Sequence, residues 1–147
     1  MITVKRIWRR VLLAAYVVVL LTLTHLPPQY LEHSPIDLWD KLEHVLGYSG
    51  LGFLAVWAGD FGGGRRGLRL VLITGAVLAL VAAGDESTQP FFMRNCDLQD
   101  WYADLIGITV GSTLAAAFGE LCRRMTRSHE DICHLSVENG SPPDSRG

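Results

Sequence analysis

The sequence predicts an all-α membrane protein: a bundle of four transmembrane helices with both termini in the cytoplasm and a disordered C-terminal tail. Three observations support this fold class. First, the 147 residues contain four apolar segments, each close to the ~20 residues that cross a bilayer as a helix. Second, basic residues concentrate in alternate connections. Third, the last part of the chain carries too little apolar surface to fold. The predicted spans are about residues 7–26, 42–59, 68–86 and 101–122, so that residues 1–127 form one membrane domain and residues 128–147 the tail.

The distribution of Lys and Arg predicts the orientation of the spans. Ten of these residues flank the spans on one side and two on the other. Because cytoplasmic connections carry the excess of Lys and Arg, both termini are expected in the cytoplasm and the acidic connections outside. The ten are Lys5, Arg6, Arg9, Arg10, Arg65, Arg66, Arg69, Arg123, Arg124 and Arg127, and the two are Lys41 and Arg94.

The first helix is expected to end near Leu26. Pro27 and Pro28 follow, and proline lacks the amide donor and disfavours helix in the residue before it. The first span resembles the apolar part of a secretory signal, but no small-x-small cleavage site follows, so a retained helix is predicted. His25 lies at the outer end of this helix and is interpreted as an interfacial histidine solvated by water, with a place in the polar site as the alternative.

The second helix carries a polar face and a thin face. Asp40, His44 and Tyr48 recur at every fourth position and therefore share one side of a helix. Counting ~20 residues back from the inner boundary places His44 about one turn inside the apolar zone. The thin face is the side of the helix that carries small residues, including Gly47 and Gly50. Such a face is suited to close packing against another helix.

The third helix is apolar up to Gly84 and is expected to end at Pro90. Asp85 and Glu86 fall at a depth where a charged side chain cannot face lipid without a large cost in free energy. Both are therefore expected to face protein or a water-filled cavity.

The fourth helix carries one stripe that changes character along its length. Asp97, Asp100, Asp104, Gly107 and Gly111 follow one another at spacings of three, four, three and four. The acidic upper half is expected to open to a polar site, and the Gly-x-x-x-Gly lower half to pack tightly. Self-association through Gly107 and Gly111 is a further expectation.

Three helices thus bring polar groups to the outer membrane face, as in a binding cleft between the helices of a bundle. His44 or Glu86 is expected to act as a general base, with Asp100 orienting His44. Lys41 and Arg94 are expected to hold an anionic headgroup. A purely structural ion-pair network is the alternative to a functional site. The full set of predicted substrate-binding residues is Lys41, Tyr48, Asp85, Gln89, Arg94 and Asp104.

In residues 40–111, about half of the chain, the sequence resembles the VanZ-like family of small bacterial membrane proteins. The matching residues are Lys41, His44, Tyr48, Leu51, Gly52, Asp85, Glu86, Gln89, Phe92, Arg94, Asp100, Ala103, Asp104, Gly107 and Gly111. Members of the family often carry Asn at the position of Asp104. The resemblance implies a multi-pass protein of the bacterial cytoplasmic membrane and a link to the cell envelope, including tolerance of the glycopeptide teicoplanin. It supplies no established reaction.

The expected function is to act on, or to bind, a cell-envelope lipid or a lipid-linked precursor at the extracytoplasmic face. A non-catalytic binding or modulating protein is the alternative, so whether the chain is an enzyme stays open. No nucleic-acid partner and no cofactor are expected. A divalent metal ranks below a metal-free site, although carboxylates and imidazole suit Mn or Zn. Its ligands would be Asp85, Glu86, Asp100, Asp104 and His44. A transporter ranks lower still, because all the charges lie near one membrane face.

Overall fold

The computed structural model describes residues 2–26, 37–59, 64–92 and 97–139, and nearly all of them are helical. The helices are α1 (Ile2–Thr24), α2 (Asp37–Ala58), α3 (Gly64–Thr88) and α4 (Leu98–Asn139), and a short 3-10 helix, Gln89–Phe92, follows α3. The described part of the chain contains no β-strand. The predicted all-α fold class is confirmed.

Three of the helices are long and apolar enough to cross a membrane, over Arg6–Thr24, Gly64–Phe92 and Leu98–Ser128. Their outer faces expose large apolar side chains, such as Leu72 of α3 and Phe118 of α4. Among the described residues, α2 does not meet the same criterion of length and composition. Its first two turns hold Asp37, Asp40, Lys41 and Glu43. The described helices thus suggest a membrane protein and include three candidate spans, one fewer than the sequence predicts.

Helices α1 and α3 both end shortly before prolines in the sequence. Helix α1 ends at Thr24, shortly before the two consecutive prolines. Helix α3 ends at Thr88, and Pro90 lies in the 3-10 helix that follows. A proline cannot supply the amide donor that an α-helix needs at these positions. The predicted ends of both helices are therefore within about two residues of the observed ones, the usual uncertainty in such boundaries.

The C-terminal segment departs from the prediction. Helix α4 continues to Asn139, so the predicted disorder is wrong for residues 128–139, while residues 140–147 lie outside the described residues. The physical reason is that the sequence between Gly119 and Gly140 contains neither Gly nor Pro, the two residues least compatible with a helix interior. Low apolar content removes a reason for this segment to pack, but it does not interrupt the helix.

Helix α2 contacts all three other helices and packs most extensively on α4. Near one end of the molecule, the guanidinium of Arg9 in α1 lies 4.7 Å from the centre of the Trp57 ring near the end of α2. Further along, Tyr16 Oη donates a hydrogen bond of 2.8 Å to Gly47 O. Helices α1 and α2 are therefore antiparallel, and the ends of α1 and α3 meet the beginnings of α2 and α4.

The contact between α2 and α4 brings two backbones together. A Cβ atom on Gly107 would lie 2.5 Å from Val45 O, and one on Gly111 would collide with Ser49 O. On the α2 side of the same contact, a Cβ on Gly52 would lie 2.7 Å from Ile108 O of α4. Small residues permit such an approach. The glycine stripe of α4 is thus covered by α2 of the same chain, which occupies the surface that the sequence leaves open for self-association.

We expect Gly111→Ala to destabilise the protein by about 1–3 kcal/mol, the usual cost of adding an atom to a packed core. Thermal unfolding in detergent micelles measures the change. Gly75→Ala is the matched control, because a Cβ on Gly75 meets no atom within 4 Å. The control is expected to leave stability unchanged or to raise it, since alanine is favoured over glycine inside helices. Equal effects of the two substitutions would contradict the proposed backbone contact.

Candidate functional site

Polar side chains from all four helices meet at the end of the molecule where α1 and α3 finish and α2 and α4 begin. Almost all of them are buried, although they lie beside helices whose outer faces are apolar. The structure brings together a set that we call the polar cluster: Thr24, His44, Tyr48, Asp85, Glu86, Gln89, Asp100 and Asp104. Of the six residues that are predicted to bind substrate, Arg94 lies outside the described residues.

His44 is at the centre of this cluster. Its Nδ1 atom lies 2.9 Å from Asp104 Oδ1 and 3.9 Å from Glu86 Oε1. The three residues come from α2, α4 and α3 and are 5%, 0% and 3% exposed, respectively. The structure therefore places a buried imidazole beside two buried carboxylates.

The residue that orients His44 is Asp104, and the prediction that Asp100 does so is wrong. Asp104 lies four residues further along α4, which is about 6 Å deeper along the helix axis, at the level of His44. Asp100 faces Lys41 instead, with 3.7 Å between Lys41 Nζ and Asp100 Oδ1. Lys41 also lies 3.9 Å from Asp97 Oδ2. The charge of Lys41 is thus close to two acidic side chains, Asp100 of α4 and Asp97 just before this helix.

Glu86 is held by donors on both of its carboxylate oxygens. Gln89 Nε2 donates a hydrogen bond of 2.9 Å to Glu86 Oε1. The backbone N–H of Asp97 donates one of 3.3 Å to Oε2. Gln89 is predicted to bind substrate, and here its side-chain amide donates a hydrogen bond to another member of the cluster. Both oxygens of the Glu86 carboxylate therefore accept hydrogen bonds, which orient it toward His44.

Asp85 is the centre of a second set of contacts. Tyr48 Oη donates a hydrogen bond of 3.1 Å to Asp85 Oδ2, and Thr24 Oγ1 donates one of 3.0 Å to Oδ1. These contacts connect α2 and α1 to α3. Tyr48 and Asp85, which are both predicted to contact substrate, are therefore hydrogen-bonded to each other. Both carboxylate oxygens of Asp85 accept hydrogen bonds.

The end of α1 contributes two residues to this second set. His25 Nδ1 lies 3.3 Å from Asp85 Oδ1, and its Nε2 lies 2.9 Å from Thr88 Oγ1. His25 therefore contacts Asp85 and Thr88, which fits the alternative of a place in the polar site, while 19% of its side chain stays exposed. Thr24 was not among the predicted site residues. Its position at the same helix end as His25 was the available signal, but the sequence does not show which face of α1 meets α3.

Asp104 has a buried carboxylate oxygen without a hydrogen-bond partner among the described residues. This oxygen is Asp104 Oδ2, and Asp104 as a whole is fully buried. Buried polar atoms in proteins are nearly always hydrogen-bonded. Asp104 therefore retains an unused acceptor in the part of the cluster that contains His44.

An apolar cleft of about 460 Å³ lies between α1 and α2 and adjoins the polar cluster. This volume is within the usual range for sites that bind small molecules. Most of its wall is apolar, and three members of the polar cluster lie at its polar side. The apolar lining includes Val19, Leu20, Leu23 and Leu46, and the polar lining includes Thr24, His44 and Tyr48.

The chemistry available here is that of an imidazole oriented by a carboxylate beside an apolar cleft. Such a pair can accept and return a proton when a substrate group lies within hydrogen-bond reach. No protein-family model, curated protein or solved structure matches this chain. The function is therefore argued from the geometry of the cluster and the cleft.

We expect Tyr48→Phe to lower stability by about 1.5–3 kcal/mol, the range for hydrogen bonds to charged groups, because it removes a donor from the buried Asp85 carboxylate. Tyr102→Phe is the matched control, since Tyr102 is exposed and keeps its ring contact with Trp101. Thermal unfolding of both variants in the same detergent provides the comparison. A Tyr48→Phe variant as stable as the control would show that this hydrogen bond contributes nothing.

Proposed function

We propose that this chain is a VanZ-like integral protein of a bacterial cytoplasmic membrane that binds a cell-envelope lipid or a lipid-linked precursor at its extracytoplasmic face. In this proposal the four helices form a transmembrane bundle with both termini in the cytoplasm. A contribution to teicoplanin tolerance is part of the proposal through the family resemblance. The apolar outer faces of α1, α3 and α4 and the alternating basic connections support it.

The proposal also accounts for the polar first half of α2. His44 and Tyr48 are buried against other helices, and Lys41 faces Asp100 of α4. Polar groups that are covered by protein can lie at membrane depth even where their helix is too polar to face lipid all round. Glu43 is exposed but belongs to the first two turns of α2, which this proposal places toward the membrane surface. Helix α2 is therefore proposed as the fourth span, held within the bundle by its neighbours.

The observation that carries the function is the junction of the apolar cleft with the polar cluster. Val19, Leu23 and Leu46 line the cleft, yet each is more than half exposed. The cleft is therefore open along the side of α1 and α2, where a membrane protein meets lipid. A hydrocarbon chain entering from the bilayer would lie against these residues, with its polar end near His44 and Thr24.

A chemical step on the bound lipid is the second candidate function, favoured by the His44–Asp104 pair. His44 and Glu86 are the candidate bases, and Asp104 orients His44. Mass spectrometry of envelope lipids incubated with the purified protein distinguishes the two functions. A lipid of changed mass indicates catalysis, whereas recovery of the unchanged lipid with the protein indicates binding alone.

We expect Val19→Trp to reduce the amount of envelope lipid that co-purifies with the protein, because the indole occupies the cleft. Mass spectrometry of lipids extracted from the purified variants measures this amount. Val18→Trp is the matched control. Val18 is 65% exposed and does not line the cleft, whereas Val19 is 56% exposed and does.

Both tryptophans replace valines on the lipid-facing side of α1, so insertion and folding should be affected alike. The proposal predicts one lipid class that is retained by the wild type and by Val18→Trp but is depleted in Val19→Trp. Equal lipid content in all three proteins, or a wild-type protein that retains only bulk membrane lipid, would contradict it.

A further inference from the structure

We infer that His44, Glu86 and Asp104 form a binding site for one divalent transition-metal cation. Each residue offers one ligand atom, and the three atoms lie within 4.8 Å of one another. The ligands come from α2, α3 and α4, so an ion at this point would join three helices. One imidazole and two carboxylates are suited to Zn²⁺ or Mn²⁺.

The distances within the triad are compatible with metal ligation. His44 Nδ1 and Asp104 Oδ1 are 2.9 Å apart. Two ligand bonds of about 2.1 Å place their donor atoms about 3.0 Å apart at a right angle and about 3.4 Å apart at the tetrahedral angle of zinc sites, so a shift of at most about 0.5 Å adapts this pair to an ion. Glu86 Oε1 lies 3.9 Å from His44 Nδ1, so only a small movement of its side chain is needed for it to ligate the same ion.

The charge of the triad gives an independent argument. Within the described part of the chain, neither Glu86 nor Asp104 forms an ion pair with Lys or Arg, and the one basic side chain that faces them is His44, which is charged only when protonated. Both carboxylates are buried, and buried charges without compensation are strongly unfavourable. A divalent cation together with a neutral imidazole would balance the two negative charges.

The surrounding hydrogen bonds also fit a ligand role. Asp104 Oδ2 is buried and has no hydrogen-bond partner within the described residues, so this carboxylate has an oxygen available to a ligand. Glu86 receives hydrogen bonds from Gln89 and from the backbone of Asp97. Partners of this kind orient the carboxylates that bind metals in other proteins and contribute to metal affinity. The cation site does not depend on the proposed lipid function, because a cation can bind to this triad with the cleft empty.

The test is a titration of the purified full chain, freed of metal by a chelator, with Zn²⁺ alone. Elemental analysis after removal of unbound ion gives the stoichiometry, and Co²⁺ in place of Zn²⁺ adds a visible absorption spectrum that reports on its ligands. The inference predicts one equivalent of Zn²⁺ per chain and a raised unfolding temperature. We expect Asp104→Asn to weaken binding by at least about tenfold, the lower end of what is lost when even an outer partner of a metal ligand is removed.

Asp85→Asn is the matched control, because Asp85 is an equally buried acid of the cluster whose oxygens already accept hydrogen bonds from Tyr48 and Thr24. It is expected to bind Zn²⁺ as the wild type does. Failure of the wild type to bind a stoichiometric amount of Zn²⁺ or Co²⁺ overturns the inference, as does equal binding by Asp104→Asn and the wild type. The wild-type titration decides the matter even if a variant fails to fold. A chain that binds Zn²⁺ but retains no lipid would contradict only the proposed lipid function.

Discussion

The structure depends on keeping buried carboxylates away from lipid. Asp85, Glu86, Asp100 and Asp104 lie on helices that otherwise expose apolar side chains, and an unpaired charge facing hydrocarbon costs several kcal/mol. The only favourable arrangement is one in which the helices close around these groups and supply donors to them. Tyr48 and Thr24 do so for Asp85, and Gln89 does so for Glu86. The cluster therefore fixes the relative positions of the four helices at this end.

The glycine contact between α2 and α4 makes the central pair of the cluster possible. Gly107 and Gly111 allow the α2 backbone to lie directly on α4, and one turn before Gly107 the same faces bring His44 to within 2.9 Å of Asp104. Helix α1 approaches α2 less extensively and leaves the apolar cleft between them. One packing arrangement thus produces both the buried acid–imidazole group and the opening beside it.

The sequence was sufficient to predict the helices and most members of the cluster, because both follow from local rules. Prolines mark the ends of α1 and α3, and charged residues at apolar depth must turn inward. The partners within the cluster depend on depth and helix rotation, which no local rule specifies. His44 therefore meets Asp104 rather than Asp100, and His25 lies beside Asp85. The helical extension to Asn139 shows that low apolar content alone does not predict disorder.

A double-mutant cycle on His44 and Asp104 tests the central claim most directly. The unfolding free energies of the wild type, His44→Ala, Asp104→Ala and the double variant are measured in one detergent. If the two side chains form a buried pair at the observed 2.9 Å, the coupling energy should be about 1–3 kcal/mol, as for residues in one hydrogen-bond network. Effects that add to within about 0.5 kcal/mol, as they do for distant sites, would contradict the buried cluster on which the proposed function rests.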